Sequence, residues 1–285
     1  MPVRIVQSKQ NSRLKELRHA LTHPGAPTRA ANGREQRTVA GIEGPNLLEE
    51  ALRAGLRVPV AFVAQGSEGL VDHLSLPTET EVLLVPRELL SSALSTETPQ
   101  PIAALVEPPE WSWSSLLAPS SKAAPLILIL AGLQDPGNLG TIIRSAEAFG
   151  ATGILSFPGT VSAWNPKAVR ASAGSVFRLP LLPVTAEDCF GRLRKTGVKI
   201  WTTAVPSAAN GARPADRINL AEPVALMIGN EGNGVPAEWA AEADGSLTIP
   251  CPGPVESLNA AIAASILLYE ASRQRDGHRP KGAAR

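Results

Sequence analysis

Two hydrophobic periodicities alternate along this chain. Leu14, Leu17 and Leu21 share one face of a helix spanning Asn11–His23, with Arg13 and Lys15 off that face. Val39–Ile42 reads as a short strand. Leu47, Leu48, Ala51 and Leu52 place a helix over Gly44–Ala54. Apolar runs at Val58–Ala64, Glu81–Val85 and Ile102–Val106 have strand length, and the first two lead into helical stretches. Further on the alternation sharpens. Strands are expected at Leu126–Leu130, Gly153–Phe157, Leu181–Val184, Val198–Thr203, Val224–Ile228 and Ser246–Ile249. Helices are expected at Asn138–Phe149, Asn165–Ala173, Ala186–Thr196 and Ser257–Ser272. Strands that alternate with helices imply an α/β fold whose C-terminal sheet is mostly parallel and covered by helices. The earlier elements form a smaller α/β domain.

The break between them is Glu107–Pro125, EPPEWSWSSLLAPSSKAAP, rich in Pro and Ser. It divides the chain into an N-terminal domain (1–106), a linker (107–125) and a C-terminal domain (126–285). Trp111 and Trp113 are unusual in a free linker and are expected to dock on one of the domains. The length, 285 residues, suits two domains.

Charge adds one asymmetry. The formal net charge is +1, yet residues 1–40 carry eight Lys/Arg against Glu16 and Glu35, leaving +6 there and −5 on the rest. Arg273, Arg275, Arg279, Lys281 and Arg285 make the end basic again. Two basic ends on a neutral body point toward a polyanion, or to ordinary solvated helix faces. Cys189 and Cys251 are the only cysteines, too few for a disulfide framework, and no metal-ligand spacing occurs. The N-terminus lacks the apolar run of a signal peptide, and no apolar stretch is long enough to span a bilayer. The expectation is a soluble, cytoplasmic protein without metal or membrane partners.

In open parallel sheets, ligands bind beyond the carboxyl ends of the strands. Three loops there carry candidate chemistry. In Gly132–Arg144, GLQDPGNLGTIIR, Asn138 can cap a helix, and Arg144 in its second turn can reach a phosphate or pair with Glu147. Gly229–Pro236, GNEGNGVP, packs three glycines into six residues but has neither Walker nor GxGxxG spacing. Its Glu231 would repel a phosphate and suits a hydroxyl or amine donor. In Ile249–Asn259, IPCPGPVESLN, Ser257 is a natural N-cap, and Asn259, one residue inside the helix, has more use as a side chain than as a helix former.

The ordered set of the three motifs resembles the SpoU/TrmH family of RNA 2′-O-ribose methyltransferases, of the SPOUT class, over residues 126–273. VRASAGSVFRLPL (Val169–Leu181) is similar to the family's segment after the first motif. IVQSKQNSRLKELRHAL and TVAGIEGPNLLEEAL, with Glu43-Gly44, look like the N-terminal substrate-binding domain of members that methylate ribosomal RNA. The chain departs from the family in reading Ser257-Leu258-Asn259-Ala260-Ala261 where many members have SLNVS, and in placing Cys251 where Met is frequent.

The resemblance implies a deep trefoil knot in the C-terminal domain, a homodimer formed through it, and S-adenosylmethionine as cofactor. It places Thr203, Ala204, Met227, Gly229, Ile249 and Leu258 around that cofactor. It puts Asn138, Arg144, Glu231, Ser257 and Asn259 at the catalytic positions, and Arg13, Lys15, Arg18 and Arg37 against RNA. Methyl transfer to a ribose hydroxyl requires in-line positioning and the management of one proton. None of the four histidines, His19, His23, His73 and His278, lies in the three loops. A free guanidine base costs about six pK units, roughly 8 kcal/mol, so Arg144 suits a clamp for a phosphate and a developing alkoxide. The expected substrate is structured RNA, ribosomal in the first instance. The alternatives are the same reaction on transfer RNA, or a catalytically silent RNA-binding relative.

Overall fold

The computed structural model describes residues 2–25, 27–29, 36–94, 96–117, 124–204, 211–255 and 257–276. They fall into two compact units, Met1–Glu110 with Ser162–Arg178, and Trp111–Val161 with Leu179–Arg285.

The first unit contains, in chain order, β1 (Val3–Ile5), α1 (Ser12–Thr22), β2 (Pro27–Arg29), β3 (Gln36–Thr38), β4 (Ala40–Glu43), α2 (Pro45–Arg53), β5 (Val60–Ala64), α3 (Gly69–His73), β6 (Glu81–Val85), α4 (Arg87–Ser91) and β7 (Ile102–Val106). Its sheet runs β1-β6-β5-β7-β4 and is mixed: β1, β6 and β5 are parallel, and β7 lies antiparallel to both its neighbours. β2 and β3 form a separate antiparallel ribbon. Asn11 starts α1, its side chain accepting from the N–H groups of Arg13 and Leu14. The apolar face of that helix packs Leu14, Leu17 and Leu21 with Phe62, Leu83 and Leu105. Removing such side chains from water contributes about 1.5–3 kcal/mol each. Glu43 is buried at the end of β4 and ties down the chain before β7: its Oε1 accepts from Thr96 Oγ1 (2.6 Å) and the Gln100 N–H (2.9 Å).

The second unit contains α5 (Trp113–Leu117), β8 (Leu126–Ala131), α6 (Pro136–Ala148) and β9 (Gly153–Ser156). The chain then contributes α7 (Pro166–Ser172) to the first unit, where it packs on β4. It returns as β10 (Leu181–Pro183), α8 (Ala186–Lys195), β11 (Lys199–Thr203), β12 (Arg213–Pro214), β13 (Val224–Gly229), α9 (Ala237–Ala240), β14 (Gly245–Thr248) and α10 (Ala260–Asp276). The seven strands are ordered β10-β9-β8-β13-β11-β14-β12, every pair parallel. β8 and β13 form the centre, in register from Leu126↔Val224 to Ala131↔Gly229, and are buried along their whole length. Continuous apolar runs, rather than alternating ones, mark strands covered on both faces.

The segment between Glu107 and Pro125 includes α5, which is part of the second unit's core. Leu116 is fully buried there, and Trp111 and Trp113 pack against the same cluster. Gly153 is its seat: a Cβ at that position would lie 2.5 Å from Leu116 Cγ. Among the described residues no helix is long and apolar enough to cross a membrane, and no group of three or more His, Cys, Asp or Glu could hold a metal ion.

Candidate active site

The parallel sheet brings the carboxyl ends of β8, β11, β13 and β14 to one edge, and the three motif loops leave from there. The first loop turns into α6. Asp135, not Asn138, caps that helix: its Oδ1 accepts from the Asn138 N–H at 2.7 Å, and Pro136 occupies the first helical position. The Asp-Pro pair was a legible start signal. Starting the helix two residues early moves Arg144 from the second turn to the third.

Freed from capping, the Asn138 side chain joins the other two loops. Its Nδ2 donates to Glu231 Oε1 at 3.0 Å, and its Oδ1 accepts from Asn259 Nδ2 at 3.0 Å. Asn259 is itself the residue that starts α10, with Oδ1 accepting from the N–H groups of Ala261 (2.9 Å) and Ile262 (3.3 Å). Asn259 therefore stands outside the helix, and the capping expected of Ser257 falls to it. Ser257 lies two residues upstream, exposed at the rim of the cleft described below. Three of the five expected catalytic residues thus form one chain of hydrogen bonds, Glu231–Asn138–Asn259, drawn from three loops.

Glu231 also accepts from the backbone N–H groups of Asp135 (3.2 Å) and Gln134 (3.4 Å). Partial burial pushes its carboxyl up, but the Asn138 amide and the backbone donors outweigh this and hold it below the usual carboxylate range. It is ionised at neutral pH. A depressed carboxylate stabilises the fold above its unfolded pKa, and that contribution disappears as pH falls through the folded value. Glu231→Gln should flatten the acid limb of the Tm–pH curve below about pH 5; an unchanged limb would place its cause elsewhere.

Asn230 organises the second loop. Its Nδ2 donates to the Gly132 carbonyl (2.8 Å), and its Oδ1 accepts from the Gly232 and Asn233 N–H groups. Its backbone exchanges both hydrogen bonds with Gly234. This closes the turn over Gly229, where a Cβ would lie 2.2 Å from the Gly234 carbonyl carbon. Sequence reasoning singled out the glycines and Glu231 here and missed Asn230.

Behind these loops is a cleft of about 480 Å³. Thr203, Ala204, Gly229, Ile249 and Leu258 line it. Met227 does not: its side chain is buried in the core beside Ile127 and Ile129, and its carbonyl accepts from Thr203 Oγ1 at 3.0 Å. Two residues sequence reasoning did not mark, Thr202 and Thr248, also line the cleft; they are 3% and 7% exposed, and their hydroxyls have no hydrogen-bond partner among the described residues. Only the burial of hydroxyls at strand ends, invisible in sequence, distinguishes them.

Arg144 is absent from the cleft lining. It is exposed on α6, and its side chain makes no hydrogen bond or ion pair among the described residues, so the pairing with Glu147 is not formed. Thr141 of α6, Phe149 at its C-terminal end and Ile262, Ile266 and Tyr269 of α10 border an apolar groove. Ser145 and Ser265, hydrogen bonded at 2.8 Å, join the two helices.

In the first unit, Arg13 bonds Glu16 (2.9 Å) and Glu81 (3.2 Å), whereas Lys15 is exposed and Arg18 half-buried. Arg37 lies on β3, and its side chain is outside the described residues, as are Arg279, Lys281 and Arg285.

An all-parallel sheet with a cleft of small-molecule size at the carboxyl ends of its strands is the arrangement in which open α/β folds bind ligands. Similarity to known proteins gives the class. Residues 125–269 match the profile of the SpoU rRNA Methylase family, and residues 28–104 match the MRM3-like substrate binding domain. A 23S rRNA (guanosine(2553)-2′-O)-methyltransferase, RlmP, of Bacillus subtilis is 37% identical over 80% of this chain and 86% of its own length. The crystal structure of the SpoU methyltransferase AviRb from Streptomyces viridochromogenes in complex with AdoMet covers 95% of this chain and 100% of its own, with TM-score 0.78 and 28% identity. The AdoMet-bound rRNA methyltransferase from Sinorhizobium meliloti covers 95% and 98%, with TM-score 0.77 and 31% identity. The chain belongs to the SpoU rRNA methylase family.

Proposed function

We propose that this protein transfers a methyl group from S-adenosylmethionine to a ribose 2′-hydroxyl of ribosomal RNA. The observation that carries the reading is the Glu231–Asn138–Asn259 chain, which joins the three motif loops and whose Glu231 lines the cleft. The cleft suits the cofactor. Its volume is in the range of small-molecule sites, its walls include Ile228, Leu247, Ile249 and Leu258, and its lining includes Thr202 and Thr248, whose buried hydroxyls have no partner among the described residues. Ionised Glu231 favours a cationic ligand nearby. Thr203, Ala204, Gly229, Ile249 and Leu258 would hold the cofactor, with the Met227 backbone behind them. When bound, it supplies an electrophilic methyl group. Asn138 and Asn259 fix the loops that orient the hydroxyl, Ser257 stands at the rim, and Arg144 clamps the adjacent phosphate and stabilises the developing alkoxide.

Residues 1–106 would bind RNA, through Lys15, Arg18 and Arg37 with Arg13 braced behind them, 107–125 would link, and 126–285 would carry the chemistry and the knot. The C-terminal unit would form a homodimer through the groove of α6 and α10, where Tyr269 is 55% exposed and Ile262 and Ile266 are uncovered. Arg144, on α6 and outside its own chain's cleft lining, would then serve the partner's site. A bacterial rRNA enzyme of this kind acts in the cytoplasm.

Calorimetric titration with S-adenosylmethionine, on protein whose oligomeric state is fixed by light scattering, tests cofactor and assembly. One cofactor per chain on a dimer is expected; no heat of binding would overturn the reading. Thiol labelling gives an independent check. Burial, with a smaller push from the Asp188 charge, raises the Cys189 thiol to about 12, so it should stay unreactive. Cys251 lines the cleft. It should react, and the cofactor should slow it; equal rates with and without cofactor would put the ligand elsewhere.

A further inference from the structure

An exposed pair of histidines closes α1: His19 lies in its last turn, on the face that carries Lys15, and His23 is the residue that ends it. Their rings stack with centroids 4.6 Å apart and planes 19° from parallel. Thr22 orients one ring. Its hydroxyl donates to the Arg18 carbonyl at 2.9 Å and is hydrogen bonded to His23 Nδ1, also at 2.9 Å. Along the helix the one acid, Glu16, is held by Arg13.

We infer that this face of α1 takes an unpaired stretch of the RNA substrate, with a base stacked on the His19–His23 pair and the flanking phosphates on Lys15 and Arg18. Neither imidazole contributes to the helix's buried face, which consists of Leu14, Leu17, Ala20 and Leu21. A flat aromatic surface beside cations is the arrangement that holds single strands, because every base offers a π-face and every linkage a charge. A duplex hides its bases and can use only the cations. The helix lies outside residues 28–104, which the substrate-binding profile matches. The inference rests on the reading of the chain as an RNA enzyme.

Fluorescence anisotropy of the full-length protein, with single-stranded oligouridylate and with duplex RNA over a series of salt concentrations, tests it. The double substitution His19→Ala/His23→Ala should weaken oligouridylate binding about 10-fold, leave the salt slope unchanged and leave duplex binding nearly intact. His19→Phe/His23→Phe, which keeps flat rings, should retain single-strand affinity. Lys15→Ala should weaken both RNAs and lower the salt slope by about one. Unchanged oligouridylate affinity in the alanine variant would overturn the inference, as would an equal loss on both RNAs with a reduced slope. Cofactor titration on the same variants keeps the two readings apart: failure here with normal cofactor binding removes the stacking site alone.

Discussion

Arg144→Ala is expected to lower methyl transfer by about 10²-fold or more while leaving S-adenosylmethionine affinity unchanged. The split follows from where the side chain is. Arg144 is exposed on α6, takes no part in lining the cleft, and its side chain makes no hydrogen bond or ion pair among the described residues. Its removal costs the fold little and the cofactor nothing. A charged clamp on a phosphate and a developing alkoxide is used chiefly in the transition state, where 10²-fold corresponds to about 2.7 kcal/mol. Arg144→Lys keeps the charge and loses the fork, so partial rescue would assign the effect to charge. Loss of cofactor binding in Arg144→Ala would refute the clamp. In a dimer, mixing this variant with a subunit unable to bind cofactor should restore activity at one site of each hybrid if the arginine acts across the interface.

Gly229→Ala is expected to abolish cofactor binding and to destabilise the protein by about 3 kcal/mol or more. The added methyl would lie 2.2 Å from the Gly234 carbonyl carbon and 2.4 Å from the Val235 nitrogen. Both are backbone atoms of a turn held at Asn230 by bonds to Gly132, Gly232, Asn233 and Gly234, so they cannot rotate away as a side chain could. Gly232→Ala, three residues on, meets only Asn230 Oδ1 at 3.5 Å, an ordinary contact, and serves as the control. Thermal melts and cofactor titrations on the pair measure the difference; equal behaviour would show that the loop yields.

These consequences depend on features that differ in how far the sequence exposes them. The strands β8 and β13 were legible because they are continuous apolar runs of strand length bounded by turn residues, and α1 because its leucines keep helical spacing. β1 was not: it has three residues, all exposed, and is a strand only because β6 lies beside it. The two-residue β12 has no pattern at all. The mixed order of the N-terminal sheet depends on pairings such as Val60↔Leu105, which no local signal encodes.

The site divides in the same way. Its loops were identified by glycine, proline and asparagine content, and by family resemblance. Which asparagine caps and which one bridges was decided by tertiary contact. Asn138 and Glu231 are 93 residues apart, and Asn138 and Asn259 are 121 apart. Ser257 has the residue type of a cap, yet α10 begins three residues later because Asn259 combines capping with its bond to Asn138.

The most direct test of the central claim is methyl transfer from labelled S-adenosylmethionine to unmodified ribosomal RNA, with the modified nucleotide mapped and unmodified transfer RNA run alongside. The account predicts label at one ribose of ribosomal RNA, seen as a 2′-O-methyl group that blocks alkaline cleavage at that linkage, and lost in Arg144→Ala. Label on a base, or on transfer RNA alone, or at the same rate in the variant, would contradict it.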